Sequence, residues 1–497
     1  MTALPPNLIV VRDPSDWPLD VSDTRVVGAK DYLTDPAYVD LPRTRVFNLC
    51  RAYRYQKAGY YVSLLAEARG HKPTPSVATI QELKSPAVIR VASGELEDLI
   101  QKSLAPIQSD EFTLSVYFGR NVAKRHDELA AALFRQFSAP LLRAEFERNP
   151  KSSRWTMTGI SLIGYVEVPV EHRPFLFEVT REYFACRHRT TRKRADTRFD
   201  LAILCDADAE DSPSDERALK KFQKAGEAVG FDVDFIEPDD FARLGEFEAL
   251  FLRETTSVNH RTYRFAEKAK AQGLVVIDDP DSILKCSNKV FLAEMLLRNK
   301  VPHPKTMIVH RGNEERVLDT LGLPCILKQP DSAFSQGVKK ADTREQLDAL
   351  VDDWLERSDL IVAQEFVPTE FDWRIGVLDR QPLYACRYFM ATRHWQIVKR
   401  DAASKQKTFG RAETVPIEHA PTRVVKAALK AANLIGDGLY GVDLKQIGDK
   451  VYVIEVNDNP NIDAGVEDAV LKDELYLRVM RVLMQRVEQR RRNRSFA

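Results

Sequence analysis

Asp443, Glu455 and Asn457, near the C-terminus, have the side-chain types and the spacing of a site for a hard divalent cation. They lie in Tyr440-Gly-Val-Asp-Leu-Lys-Gln-Ile-Gly-Asp-Lys-Val-Tyr-Val-Ile-Glu-Val-Asn-Asp-Asn-Pro460. Two β-rich stretches, 441–447 and 451–457, flank Gly448-Asp449-Lys450, a turn cluster of the kind that joins antiparallel strands. With those three residues as the loop, Asp443 pairs directly with Glu455. Alternation then puts Asp443, Lys445, Glu455 and Asn457 on one face, and Val442, Leu444, Ile454 and Val456 on the other. Opposed carboxylates repel, so the pair calls for something positive between them. Three hard oxygen donors suit Mg²⁺ shared with phosphates. A solvated acidic strand face is the competing reading of the same pattern.

A hairpin of this kind needs a scaffold, and the preceding residues supply the alternation for one. Short apolar strands at 199–205, 231–236, 249–252 and 274–277 alternate with helical patterns at 215–229 and 261–272, which predicts a small parallel α/β sheet with crossover connections. Arg253-Glu-Thr-Thr-Ser257 follows the third strand, at the end where open α/β sheets bind ligands, and is a candidate substrate contact. Residues 1–185 mix strand-like runs (7–11, 45–49, 114–118, 162–170) with helical stretches (60–69, 125–137) and read as a separate α+β domain. No phosphate loop, metal spacing or nucleophile motif stands out there. Arg187-His-Arg-Thr-Thr-Arg-Lys-Arg-Ala-Asp-Thr-Arg198 is strongly basic without apolar period, so 186–198 reads as a solvated linker, docking of an acidic substrate tail being the other reading.

The 497 residues carry 73 Lys plus Arg and 73 Asp plus Glu, so the formal charge is zero. No global field draws the chain to nucleic acid or to a membrane. Six cysteines without CxxC or paired spacing argue against a zinc site or a disulfide framework. They suit a reducing compartment. No run of about 18 apolar residues and no leader pattern stand out, so a cytoplasmic location is expected.

The Asp, the Glu-x-Asn on the next strand and the Asn459-Pro460 that follows resemble the metal-binding end of the ATP-grasp ligases, in particular their RimK-like branch. Further matches lie upstream in the family's order. Ser287-Asn-Lys-Val-Phe-Leu-Ala-Glu-Met-Leu-Leu-Arg-Asn-Lys-Val-Pro302 resembles the opening helix of the grasp. Leu323-Pro-Cys-Ile-Leu-Lys328 resembles the strand whose lysine reaches the nucleotide. Leu360-Ile-Val-Ala-Gln-Glu-Phe-Val367 resembles the adenine hinge, and Phe371-Asp-Trp-Arg374 the strand after it. The opening Leu8-Ile-Val-Val-Arg-Asp resembles the N-terminal domain often fused to RimK-like grasps. The resemblance implies a small α/β domain at 199–282 and a two-subdomain ATP-grasp fold at 283–497.

It further implies ATP and Mg²⁺ as cofactors, with Mn²⁺ as a substitute. Asp443, Glu455 and Asn457 would hold the metal, and Lys289, Lys328 and Lys445 the nucleotide. Glu365, Phe366 and Val367 would meet adenine and Asp372 the ribose. Lys328, Arg374 and Arg411 are the catalytic candidates, with Arg387 and Arg393 as further substrate contacts. His260 and His394 are expected to be hydrogen-bonded loop residues. The phosphate loop departs from the family, since 329–340 holds only Gly337; Ser332 and Ser335 stand as substitute donors. The implied activity joins a carboxylate to an amine through an acyl phosphate, with an amino acid such as glutamate as one partner and a peptide, protein or small molecule as the other. Self-association is an expectation, because related enzymes are often dimers or tetramers. The alternatives are a degenerate grasp serving as a nucleotide-sensing module, and an interaction scaffold.

Overall fold

The computed structural model describes residues 7–21, 24–39, 41, 44–186, 197–206, 212–331, 337–391, 395–400 and 407–495. The basic run 187–196, Ser332, Ser335, Arg393 and His394 lie outside them. The chain forms two compact units, Met1–Phe199 with Asp239–Phe247, and Asp200–Pro238 with Glu248–Ala497.

In the first unit Asn7–Val11 is central in a parallel sheet, flanked by Thr24–Gly28 and Arg45–Asn48, with Lys72–Thr74 beyond the latter. Its apolar run is unbroken because both faces are covered. Leu8 and Val10 pack with Tyr32, Val62 and Ala66, while Ile9 and Val11 pack with Trp17, Phe47 and Leu176. A three-stranded antiparallel sheet follows, Glu111–Tyr117, Leu141–Arg148 and Trp155–Leu162. The strand expected at 162–170 is not there. The sheet ends at Leu162 and the chain turns through the 3₁₀ segment Tyr165–Glu167, held by the Gly164 N–H donating to Glu167 Oε2 at 2.8 Å. Gly164 lies so near the Arg51 backbone that a β-carbon would come within 2.6 Å of its Cα. The segment Asp239–Phe247 joins this unit through bonds no linear division reveals: Lys72 Nζ donates to Phe247 O at 2.8 Å and Tyr183 Oη to Glu246 Oε1 at 3.1 Å.

The second unit opens on a sheet in the order Val275–Ile277, Ala249–Leu252, Phe199–Leu204, Phe231–Ile236, whose first three strands run parallel. Two antiparallel sheets follow. One has the order Thr306–Val309, Ile361–Glu365, Cys325–Lys328, Val338–Ala341. The other has the order Ala412–Val415, Gln381–Phe389, Phe371–Leu378, Leu439–Ile447, Lys450–Asp458. The amphipathic helix Thr422–Ile435 covers one face of the latter with an alanine-rich stripe.

The last two strands form the expected hairpin with a tighter turn. Ile447 pairs with Lys450 across Gly448-Asp449, Gly448 taking the positive φ of 54° that suits glycine. A bulge then shifts the register, so that Leu444 pairs with Val453 while Asp443 still pairs with Glu455. Ile454 is the bulged residue and leaves the core face to the buried Val453, correcting its expected packing beside Val442. Cys50, Cys205, Cys286, Cys325 and Cys386 are free thiols. Among the described residues no helix is long and apolar enough to cross a membrane.

Candidate active site

Trp373, Ile375 and Val377 of Phe371–Leu378 enter the core under the sheet, so alternation turns Asp372 and Arg374 to the opposite face. Arg374 pairs with Asp443. Its fork is bidentate there, Nε donating to Oδ1 and Nη2 to Oδ2, both at 2.7 Å. Burial works against the guanidinium's charge, but the Asp443 carboxylate overrides it and holds the group well above its ordinary value. Asn457 Nδ2 donates to Asp443 Oδ2 at 3.2 Å, so these two side chains touch. Glu455 Oε1 stands 3.5 Å from Lys289 Nζ. The positive partners that the opposed carboxylates call for are thus Arg374 and Lys289, one for each.

Lys328 ends the fully buried strand Cys325–Lys328 and is itself only 8% exposed. Burial lowers its ammonium to about 8; Glu455 acts to raise it, and Lys289 and Lys445 to lower it further. Lys289 opens the helix Lys289–Arg298, capped by Asn288, and its backbone N–H donates to Pro330 O at 2.9 Å just beyond Lys328's strand. Lys445 Nζ donates to Asp372 Oδ1 at 2.6 Å and to Thr369 Oγ1 at 2.7 Å, while Thr369 donates to the same Asp372 oxygen at 2.8 Å. Burial raises the Asp372 carboxyl against the pull of Lys445.

The strand Ile361–Glu365 leads into the segment before Phe371. Glu365 is exposed, and its Oε2 accepts from the Lys305 N–H at 3.2 Å. The Phe366 ring stands edge-on to Trp395 at 6.1 Å and beneath Lys340 Nζ at 5.2 Å. Val367 is buried. Asp443, Glu455 and Asn457 provide two carboxylates and one amide carbonyl on a single face. That donor set fits a hard cation such as Mg²⁺. Among the described residues no cluster of three His, Cys, Asp or Glu side chains offers an alternative.

Other expected contacts lie elsewhere. Arg411 is 72% exposed, 3.6 Å from Glu413 and stacked over Phe389 at 4.5 Å; as an edge-strand flank it points to solvent and does not join the cluster. Arg387 pairs with Trp373 and lies over its ring at 4.9 Å, on the core face. Arg253 is fully buried, donating to Ser214 Oγ at 2.8 Å, Asn459 Oδ1 at 2.7 Å, Pro460 O at 3.0 Å and Pro213 O. It clamps the chain just after the hairpin, so it is not a substrate contact. His260 caps the helix Arg261–Ala271.

Three residues escape the sequence reading. Thr369 bridges Lys445 and Asp372. Tyr388 lies 5.1 Å below the Arg374 guanidinium and its hydroxyl donates to Glu467 Oε1. Glu467 is buried, with Oε2 taking the Asp463 N–H at 2.7 Å. Alternation along Gln381–Phe389 would have pointed to Tyr388, whose cross-strand partner is Asp372. Nothing local marks Glu467.

Two lysines, a bidentate arginine and an oxygen-donor hairpin converging on one antiparallel sheet define an ATP-grasp enzyme, an ADP-forming carbon–nitrogen ligase. Residues 286–472 match the family model of the RimK-like ATP-grasp domain, and residues 29–179 that of the RimK-like ATP-grasp N-terminal domain. Residues 286–472 are thus similar to the ATP-grasp domain of the RimK-like ligases, and 29–179 to the domain that precedes it there. It is 26% identical over 255 residues to the alpha-aminoadipate--LysW ligase LysX of Saccharolobus solfataricus, covering 48% of this chain and 88% of that protein. It is also 26% identical over 241 residues to the tetrahydromethanopterin:alpha-L-glutamate ligase of Methanocaldococcus jannaschii, covering 47% and 78%. Among solved structures, a RimK domain ATP-grasp protein from Sphaerobacter thermophilus superposes with a TM-score of 0.43 at 15% identity, covering 57% of this chain and 98% of that one.

Proposed function

We propose that the enzyme uses Mg·ATP to phosphorylate a carboxylate and then joins the acyl group to the amine of an amino acid, the acceptor being a peptide, protein or small molecule. The observation that carries this reading is the convergence of Lys289, Lys328 and Arg374 on the Asp443–Glu455–Asn457 face, with Asp372 and Lys445 on the hinge side. A substrate carboxylate oxygen forms a bond to the γ-phosphorus as the bond to the β,γ-bridging oxygen breaks, its electron pair leaving with ADP. The amine nitrogen then forms the C–N bond, the acyl C–O bond breaks with its pair on phosphate, and the surplus proton passes to solvent.

Catalysis of this transfer is mainly positioning and neutralisation of charge. Lys328 and Lys289 point ammonium groups to where the phosphates lie, and Lys328's burial strengthens that attraction by excluding water. Arg374 has the planar fork that grips a phosphoryl oxygen pair. Lys445 and Thr369 hold Asp372 for the ribose hydroxyls, and the segment Glu365–Phe366–Val367 borders the adenine. Asp443, Glu455 and Asn457 would hold Mg²⁺, or Mn²⁺ in its place, which would supply positive charge to neutralise the phosphates. The names of the relatives, which join aminoadipate or glutamate to a partner, support an amino acid as the amine's class. ADP release with Mg·ATP against a panel of carboxylates, with hydroxylamine trapping the acyl phosphate and mass spectrometry of the product, tests the proposal. Hydroxamate that requires both ATP and one carboxylate is the expected result; ATP hydrolysis indifferent to every carboxylate refutes it.

A further inference from the structure

Two groups compete for the Asp443 carboxylate. As a metal ligand it would give oxygen lone pairs to a hard cation. Arg374 donates to both of those oxygens at 2.7 Å, Nε to Oδ1 and Nη2 to Oδ2, and Asn457 Nδ2 adds a bond to Oδ2 at 3.2 Å. A bidentate guanidinium satisfies a carboxylate in charge and in geometry together. The pair is also sheltered, with side-chain exposures of 17% and 13%, so water does not weaken it as it weakens a surface ion pair. Glu455 is held more loosely, 3.5 Å from Lys289 Nζ.

The local charge acts in the same direction. Asp372, Asp443 and Glu455 lie among Lys289, Lys328, Lys445 and Arg374, so three carboxylates meet four cations. A divalent cation arriving alone adds to that excess and must also take Asp443 from Arg374. One arriving with nucleotide phosphates brings more negative charge than it carries, and the phosphates offer the arginine fork another anion of matching geometry. Tyr388 lets Arg374 change partners without losing its place. Its ring lies 5.1 Å from the guanidinium and its hydroxyl is fixed on Glu467, so a cation–π contact holds the arginine whichever anion the fork meets.

We infer that Arg374 is a counter-ion for Asp443 that makes uptake of the divalent cation depend on nucleotide: the phosphates draw the fork away and leave Asp443 to the metal. The inference rests on the Mg·ATP reading above and adds its regulation, an order of binding in which cation and nucleotide enter together.

The test measures binding, not turnover. Mn²⁺ held by the full-length enzyme is read from loss of the free ion's electron paramagnetic resonance signal, without nucleotide and with ADP, against ADP alone as blank. Wild type should bind Mn²⁺ weakly by itself and on the order of 10- to 100-fold more tightly with ADP. Arg374→Met should tighten nucleotide-free binding on the order of tenfold. Arg374→Lys keeps the charge without the two-pronged grip and should show part of that gain; an affinity equal to wild type would reduce the effect to net charge and overturn the exchange. Unchanged binding in Arg374→Met overturns it too, as does a gain that survives when Asp443→Asn is added to Arg374→Met, since the cation then sits elsewhere. Melting curves establish that the variants fold. Wild type decides even where a variant does not: Mn²⁺ bound as tightly alone as with ADP refutes the inference. No protein-bound Mn²⁺ in wild type with ADP is a different result, which sinks the shared metal and nucleotide site and the Mg·ATP reading with it.

Discussion

In the first unit the polar groups taken deepest into the fold are mostly neutral and hydrogen-bonded: Asn48 donates to Gly59 O and Ser63 Oγ, Ser63 to Pro75 O, Thr180 to Leu176 O, and His71 meets Tyr32 Oη. In the second unit many are ionisable: Arg253, Glu254, Asp278, Lys289, Lys328, Asp372, Glu467 and Asp468 are all buried. Neutral, satisfied groups specify a structure at little cost, whereas buried charges are expensive unless paired. Concentrating that expense in one unit marks where electrostatic work is done. The pairs Arg374–Asp443 and Lys445–Asp372 are partners that nucleotide and metal can later share, which a purely structural core has no reason to hold.

The sharpest way to break this contrast is Glu455→Gln. On the proposed metal-holding role, loss of its charge should lower turnover by about two to three orders of magnitude while ATP affinity drops only modestly; steady-state ADP release beside calorimetric ATP titration separates the two. Arg374→Ala should lower turnover about 100-fold. It should also destabilise the second unit by about 1–3 kcal/mol, because the half-buried Asp443 keeps only the Asn457 amide as a donor. Urea unfolding of that variant beside Arg374→Lys measures the pair, and equal stability of all three proteins would remove it from the account.

Two pH profiles sharpen the comparison in opposite directions. His71, in the first unit, is depressed by burial to about 4. Its folded pKa lies below the unfolded value, so the stability it confers is fully present above about 6.5 and is lost as pH falls toward 4, by about 3 kcal/mol at most. Glu467, in the second, is raised by burial, so its contribution is present below the ordinary carboxylate value and is lost as pH climbs through the raised one. Thermal melts from pH 4 to 8 should show His71→Gln flattening the acid-side loss and Glu467→Gln the loss on the neutral side. Lys328, lowered to about 8, should lose its charge as pH rises through that value. The KM for ATP should therefore climb above pH 8 in the wild type and stay flat in Lys328→Arg, whose guanidinium remains protonated. The smallest effect is expected for Arg411→Ala, less than about twofold on any kinetic constant, since its partners are solvent, Glu413 and an exposed ring face; a larger loss would bring it back to the substrate.

Much of the candidate site could be read in one dimension because a strand's period of two is rigid. Asp443, Glu455 and Asn457 had to share a face once the hairpin was recognised, and Asp372 had to share one with Arg374. The alternating strands and helices of residues 199–277 likewise announced a parallel sheet. Where local pattern was ambiguous, reading failed: 162–170 has strand composition, yet Gly164 is pressed onto Arg51 and the chain turns.

The sequence by itself determined which residues carry charge and on which strand faces they lie, because side-chain type and backbone period are local properties. Only the tertiary structure decided which charges meet. Arg374 finds Asp443, and Lys289 finds Glu455, across strand registers and helix positions set by packing of Trp373, Val442, Val453 and the alanine stripe of Thr422–Ile435. The bulge at Ile454 restores a pairing that the two-residue turn would otherwise have shifted. Arg253, Arg387 and Arg411 have the same chemistry as Arg374, and the fold sends them to a loop clamp, the core face and solvent. A guanidinium's function is set by its surroundings, and those are a long-range property of the chain.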